Sequence, residues 1–170
     1  MMNKSTITIL LLAGIACFAA CLSRANTAII LDHQNAGDAA AVKGNYAEAD
    51  NQYRAALAEA EKSGAENELV KTALHYLGSN LEAQKRYAEA ETVYQREFAV
   101  AKKVHGEGSP DLLYPLSDLT LFYINQERFP EAEKYNQIAL SITAKLPKGE
   151  RKEAVELAEY LRDWIKNGRP

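Results

Sequence analysis

Cysteine is almost missing. Of 170 residues only Cys17 and Cys21 are cysteines, and both fall in the first 25. Beyond residue 25 there is therefore no thiol nucleophile, no thiolate metal site and no disulfide. That is compatible with an oxidising compartment without requiring one. A surplus of positive charge is missing too: the formal net charge is −3. With no basic field to meet a phosphate backbone, nucleic acid is not an expected partner. No stretch alternates apolar and polar residues long enough to suggest a sheet. Histidines are few, and His33, His75 and His105 have no metal-ligand spacing and form no His-Glu-x-x-His. No Gly-x-Ser-x-Gly elbow occurs. The segment HGEGSP, His105 to Pro110, lacks the Gly-Lys-Ser/Thr ending and joins helix to helix, so it is not a phosphate loop. Carboxylates are plentiful, but no pattern singles out a pair for acid–base work. The expectation is a protein without catalytic residues, cofactor or metal.

Long apolar runs are missing except for one. Ile7 to Ala20, ITILLLAGIACFAA, follows Lys4. It is short for a membrane span and has the length of a signal-peptide core. Ser23 and Ala25 put small residues at the −3 and −1 positions for cleavage after Ala25. Residues 1–25 are expected to be a cleaved leader, making the protein exported, periplasmic or secreted. Phe18-Ala19-Ala20-Cys21 resembles a bacterial lipobox, with Phe18 where Leu is usual. The alternative is thus a lipoprotein anchored through Cys21, the one expected contact with a membrane. Loss of Lys4 and Arg24 with the leader shifts the net charge from −3 to −5.

What is present is helix-forming residues and a repeat. Ala, Leu, Glu, Lys and Gln dominate the body, and all favour helix. GNYAEADNQYRAAL (44–57), KRYAEAETVYQREF (85–98) and ERFPEAEKYNQIAL (127–140) are one phrase written three times. An aromatic (Tyr46, Tyr87, Phe129) is followed three residues later by alanine (Ala49, Ala90, Ala132), at periods of 41 and 42 residues. A fixed period of this size marks a helical solenoid.

Helices are expected over 29–42, 46–62, 66–83, 87–104, 113–125, 130–145 and 150–166. Gly44-Asn45, Ser63-Gly64, Gln84–Arg86, HGEGSP and Pro147-Lys148-Gly149 are the breaks. Leu31, Ala36, Ala40 and Ala41 are the expected buried positions of the first helix. Gly78 sits inside the third helix at a cost of about 1 kcal/mol relative to Ala, which calls for close approach by a neighbour. Pro115 requires the fifth helix to start near Leu113 or bend there. The last helix buries Ala154, Leu157, Ala158, Leu161, Trp164 and Ile165 on one face and is charged on the other, as a terminal cap must be.

These repeats resemble the tetratricopeptide repeat. Leu77-Gly78, Tyr87, Ala90 and Tyr94 match its pattern in the middle unit, and Gly37, Gly44, Tyr46, Ala49, Tyr53 and Ala56 match it in the first. The third unit departs: Leu119-Thr120 replaces Leu-Gly, and Asn136 stands where an aromatic is expected. Tyr123, Phe129, Ala132 and Ala139 still fit. The long period is similar to the variety found in kinesin light chains and many bacterial proteins. The resemblance implies an all-α, right-handed helical-repeat solenoid of three helix pairs (about 29–65, 66–108 and 109–146) plus a capping helix at 150–167. Tyr46, Tyr87 and Phe129 are then expected in the core.

The resemblance also implies a non-enzymatic module that binds another protein or peptide on a concave wall lined by the first helix of each pair. The candidate lining is Gln34, Asp38, Thr72, His75, Tyr76, Ser79, Tyr114, Ser117 and Leu121. Family members that bind acidic C-terminal tails carry a basic clamp on this wall. Gln34, Asp38, Tyr76, Tyr114 and Asp118 supply none, so a partly apolar segment or helix is the better ligand. The expected role is an exported adaptor or assembly factor. The alternative is a structural subunit packed permanently in an envelope complex or self-oligomer.

Overall fold

The computed structural model describes residues 26–62, 67–147 and 151–167. The expected leader, the helix stop at Ser63-Gly64 and the glycine of the 147–149 break lie outside the described residues. So do the side chains of residues 151–154, Ala154 among them. Helix α1 covers residues 26–42. It is followed by α2 (Tyr46–Lys62), α3 (Glu68–Ala83), α4 (Tyr87–His105), a 3₁₀ turn (Pro110–Leu112), α5 (Leu113–Asn125), α6 (Phe129–Thr143) and α7 (Arg151–Asn167). Among the described residues there is no strand. From α2 onward each helix packs mainly on its sequence neighbours, with α7 closing the stack against α6 and α5. The result is an all-α helical solenoid.

The turns within the three pairs repeat one hydrogen-bond scheme. Asn45 N–H reaches Ala40 O at 2.9 Å, Arg86 N–H reaches Leu81 O at 2.9 Å, and Arg128 N–H reaches Tyr123 O at 2.8 Å. Closing a helix this way needs one residue in the left-handed region. Gly44 (φ +74°), Lys85 (φ 61°) and Glu127 (φ 57°) fill that position in turn. Only the first turn uses the residue that adopts it without strain; the two side-chain-bearing residues each cost about 1 kcal/mol.

Pro115 is accommodated as the sequence requires. Ser109 caps the 3₁₀ turn by accepting from Asp111 N–H, and α5 begins at Leu113. Pro115 is thus third in its helix, among the first four positions whose N–H groups have no intrahelical partner.

Gly37 and Gly78 solve one packing problem twice. An added Cβ at Gly37 would lie 2.5 Å from Tyr53 Cε1, and one at Gly78 would lie 2.8 Å from Tyr94 Cε1. Each glycine is the hollow that receives a ring from the second helix of its pair. The third pair replaces both partners at once. Thr120 stands where the glycine would be and Asn136 where the tyrosine would be. Asn136 is buried and donates from Nδ2 to Ala158 O on α7 at 2.9 Å. The departure of the third repeat from the pattern is therefore the fitting for the cap.

Three expectations are corrected. In α1 the inward residues are Ile30, Gln34, Gly37 and Ala40, whereas Leu31 is 48% exposed and Ala36 is exposed. The ring of Tyr53 sets the rotation of α1 by requiring Gly37 to face it, which turns Leu31 and Ala36 outward. Tyr46 and Tyr87 are 39% and 37% exposed. They line the turns rather than the core, whose aromatics are Tyr53, Tyr94, Phe122, Tyr123 and Tyr135. What Tyr46 contributes inward is its carbonyl, which accepts from Asn80 Nδ2 at 3.1 Å and Gln84 Nε2 at 3.3 Å. On α7, Ala158 and Leu161 are buried, but Leu157 is 44% exposed because α5 and α6 cover only one side of the helix.

Candidate functional site

The wall that the repeat frame assigns to the groove belongs to α1, α3 and α5, the first helix of each pair. The nine residues expected to line it divide into three groups. Thr72 and Ser117 turn their hydroxyls back on their own helices, donating to Glu68 O at 2.9 Å and Leu113 O at 2.8 Å. Gln34 is buried, and Leu121 is half-buried against the main core. The other five come together around two connected features.

The first is a cleft of about 310 Å³ lined by Asp38, Tyr53, His75, Tyr76 and Ser79 among others. Tyr53 and Tyr76 stack with ring centroids 5.6 Å apart, an offset pairing that makes a firm aromatic wall. Asp38 accepts from the Tyr53 hydroxyl at 2.6 Å, which anchors that ring at the edge of the cleft. A larger cleft of about 370 Å³ lies away from the wall, beside Ile124, Asn125, Glu127, Phe129 and Trp164 at the seam with α7.

The second feature is a polar cluster under His75, where α3, α4 and α5 meet. His75 Nδ1 lies 2.9 Å from Asp118 Oδ2 and 3.9 Å from Glu97 Oε1. The Tyr114 hydroxyl is 3.1 Å from His75 Nε2, and the two rings are 5.0 Å apart. Glu97 is 1% exposed, and its Oε2 has no hydrogen-bond partner among the described residues. Burial pushes its carboxyl up to about 8; His75 and Lys71 oppose this, and the charge of Asp118 adds to it. Burial lowers the pKa of His75, but the hydrogen bond to Asp118 and the charges of Asp118 and Glu97 outweigh it, leaving His75 above its usual value. One imidazole nitrogen and two carboxylates meet here, a donor set able to hold a divalent cation.

Sequence reasoning missed Glu97 because it lies on α4, the second helix of its pair. A signal for it was nevertheless present. Ala56, Glu97 and Ala139 occupy the same position in the three copies of the repeat, and all three are buried. A glutamate in a slot that otherwise holds alanine is an exception on an apolar stripe. Its partners could not be found the same way: His75 is 22 residues upstream and Asp118 is 21 downstream, with no motif linking them.

A stack of helix pairs with a repeating turn, glycine hollows that receive rings and an aromatic-lined cleft defines a helical-repeat protein. The family model for the tetratricopeptide repeat matches residues 26–103 and 69–145. The chain belongs to the tetratricopeptide repeat family. Among solved structures it is similar to BtubC (BKLC) from P. vanneervenii, a kinesin-light-chain-like member. The TM-score is 0.65 at 16% identity, covering 85% of this chain and 67% of that one. At that identity the likeness is one of fold. No curated protein matches the chain.

Proposed function

We propose that this protein is a non-enzymatic adaptor or assembly factor that holds a segment of another protein in its concave groove. Tetratricopeptide repeats generally mediate protein–protein interaction. The observation that carries the finer reading is the cleft itself, with stacked Tyr53 and Tyr76 on its wall and Asp38, His75 and Ser79 around it. Rigid aromatic rings offer large contact area at low entropic cost, and Asp38 beside them favours a cationic neighbour. The fitting ligand is a short, partly apolar segment carrying Lys or Arg. No basic clamp for an acidic tail stands among the lining residues.

Site-specific photo-crosslinking from a probe at Ala83, an exposed residue lining the same cleft, in extract and read by mass spectrometry, tests this reading. Ser79 is exposed on the lip of the cleft, so Ser79→Arg fills the groove without disturbing the core. One dominant crosslinked protein is expected, with at least about a tenfold loss of capture in Ser79→Arg. Capture that Ser79→Arg leaves unchanged, or that comes only from a probe at Tyr160, refutes groove binding. The second outcome favours the structural-subunit reading, whose own support is the half-exposed Leu157 and Tyr160 on α7.

Export belongs to the same proposal, as a periplasmic or secreted protein or, alternatively, a lipoprotein anchored at Cys21. Its support is the Ile7–Ala20 run and the Ser23/Ala25 cleavage pattern. No described helix is long and apolar enough to cross a membrane. The intact mass of the protein from cells is expected to begin at Asn26. A lipid-modified Cys21 at the amino terminus would replace that reading with the anchored one, and a retained Met1 would refute both.

A further inference from the structure

The Glu97 cluster goes unused by a peptide groove, and as it stands it is unfavourable. A carboxylate has been placed where the neighbouring repeats hold alanine, it is 1% exposed, and one of its oxygens has no hydrogen-bond partner among the described residues. A buried, unpartnered carboxylate oxygen costs stability unless something cationic meets it. Lys71 is not that partner, because its ammonium is engaged by Glu68 at 2.7 Å. His75 gives its Nδ1 to Asp118 and remains 3.9 Å from Glu97.

We propose that His75 Nδ1, one oxygen of Glu97 and one oxygen of Asp118 bind a divalent first-row transition cation of the zinc class, with Tyr114 holding the imidazole from behind. The three donor atoms already lie within 4.8 Å of one another. Tetrahedral coordination at about 2.0–2.2 Å sets ligand atoms roughly 3.3–3.6 Å apart, so the observed 2.9 and 3.9 Å separations bracket the target. A neutral imidazole and two carboxylates balance the charge of a dication. The nitrogen excludes a preference for calcium, which takes six or more oxygens, and the lack of thiolate excludes a preference for copper(I).

The atoms behind the site fit the same assignment. A metal-bound histidine carries its proton on the other ring nitrogen and donates it to a fixed acceptor. Here that nitrogen is Nε2, and the Tyr114 oxygen stands 3.1 Å away. Glu97 forms the closed floor, while His75 and Asp118, whose side chains are 23% and 20% exposed, face the wall. Three protein ligands leave a fourth position for water on the concave side.

The test is calorimetric titration of the purified, untagged protein with Zn²⁺ and Co²⁺ after treatment with chelator, with no peptide present. It therefore stands or falls independently of groove binding. One-to-one saturable binding is expected, at least tenfold weaker in Glu97→Gln and in Asp118→Asn, and about tenfold weaker in Tyr114→Phe. A wild-type measurement removes dependence on the variants folding well. Co²⁺ should broaden the imidazole proton resonances of His75 before those of His33 and His105. His105, beside Glu68 and Asp111 near the surface, is the competing site. Absence of saturable binding, binding unchanged by both carboxylate substitutions, or broadening that begins at His105 overturns the assignment.

Discussion

Glu97→Gln is expected to make the metal-free protein more stable at pH 8.5 and to flatten its pH dependence. In the folded chain burial holds the Glu97 carboxyl at about 8; in the unfolded chain it titrates near 4.3. Between those values the folded state keeps a proton that the unfolded state releases. The contribution of protonated Glu97 is therefore complete below about pH 4 and is lost as pH rises through 8. His75 acts in the same direction. Its folded pKa is raised, so its contribution is complete below about 6.5 and is also lost as pH rises. The groups facing Glu97 are His75 and Lys71 on α3 and Asp118 on α5. The carboxylates held low by arginine, Glu89, Glu91 and Glu131, lose stability only on acidification below about pH 4.5 and do not oppose this trend in the window above pH 5. In chelator, wild-type stability is expected to fall by about 2–3 kcal/mol from pH 5.5 to 8.5, a drop in Tm of roughly 5–10 °C. Thermal unfolding followed by circular dichroism at three pH values measures it. A flat wild-type profile, or a Glu97→Gln protein less stable than wild type at pH 8.5, would show that Glu97 is well solvated.

Gly78→Ala and Gly37→Ala are expected to destabilise the fold by about 1–3 kcal/mol each, although alanine is the better helix former. The helical gain of about 1 kcal/mol is outweighed because the new methyl meets a ring that has nowhere to go. Tyr94 is tilted against Phe122 at 5.6 Å and donates to Glu82 Oε2 at 3.1 Å. Tyr53 is stacked on Tyr76 and bonded to Asp38. The diagnostic experiment is a double-mutant cycle. In a Tyr94→Asn background, which copies the third repeat, Gly78→Ala should cost nothing or stabilise by a few tenths of a kcal/mol. Equal destabilisation in both backgrounds would mean that the ring is not what the glycine accommodates. The same logic explains why the third repeat tolerates Thr120: with Asn136 in place of the ring, no hollow is needed.

Much of the fold was legible. The repeated phrase at 41 and 42 residues, the helix breaks and the proline positions located nearly every helix end within two residues, because turn chemistry and helix periodicity are local. The phase of α1 was not legible. Leu31 and Ile30 are equally apolar, and only the ring of Tyr53 decides which of them faces in. The turn aromatics misled for a related reason: their recurrence marked the turn, not depth of burial.

Of the wall, His75, Tyr76, Ser79, Asp38 and Tyr114 could be nominated from the repeat frame, which specifies which helix faces the groove. The meeting of His75 with Glu97 and Asp118 could not. By itself the sequence determined the family, the helix pairs and the order in which they stack, since a repeating apolar stripe buries itself only against the next copy of itself. Tertiary structure alone decided that three polar residues from three helices share one point. That depends on the rotation and approach of α3, α4 and α5, and those are set by how rings fill glycine hollows across the stack.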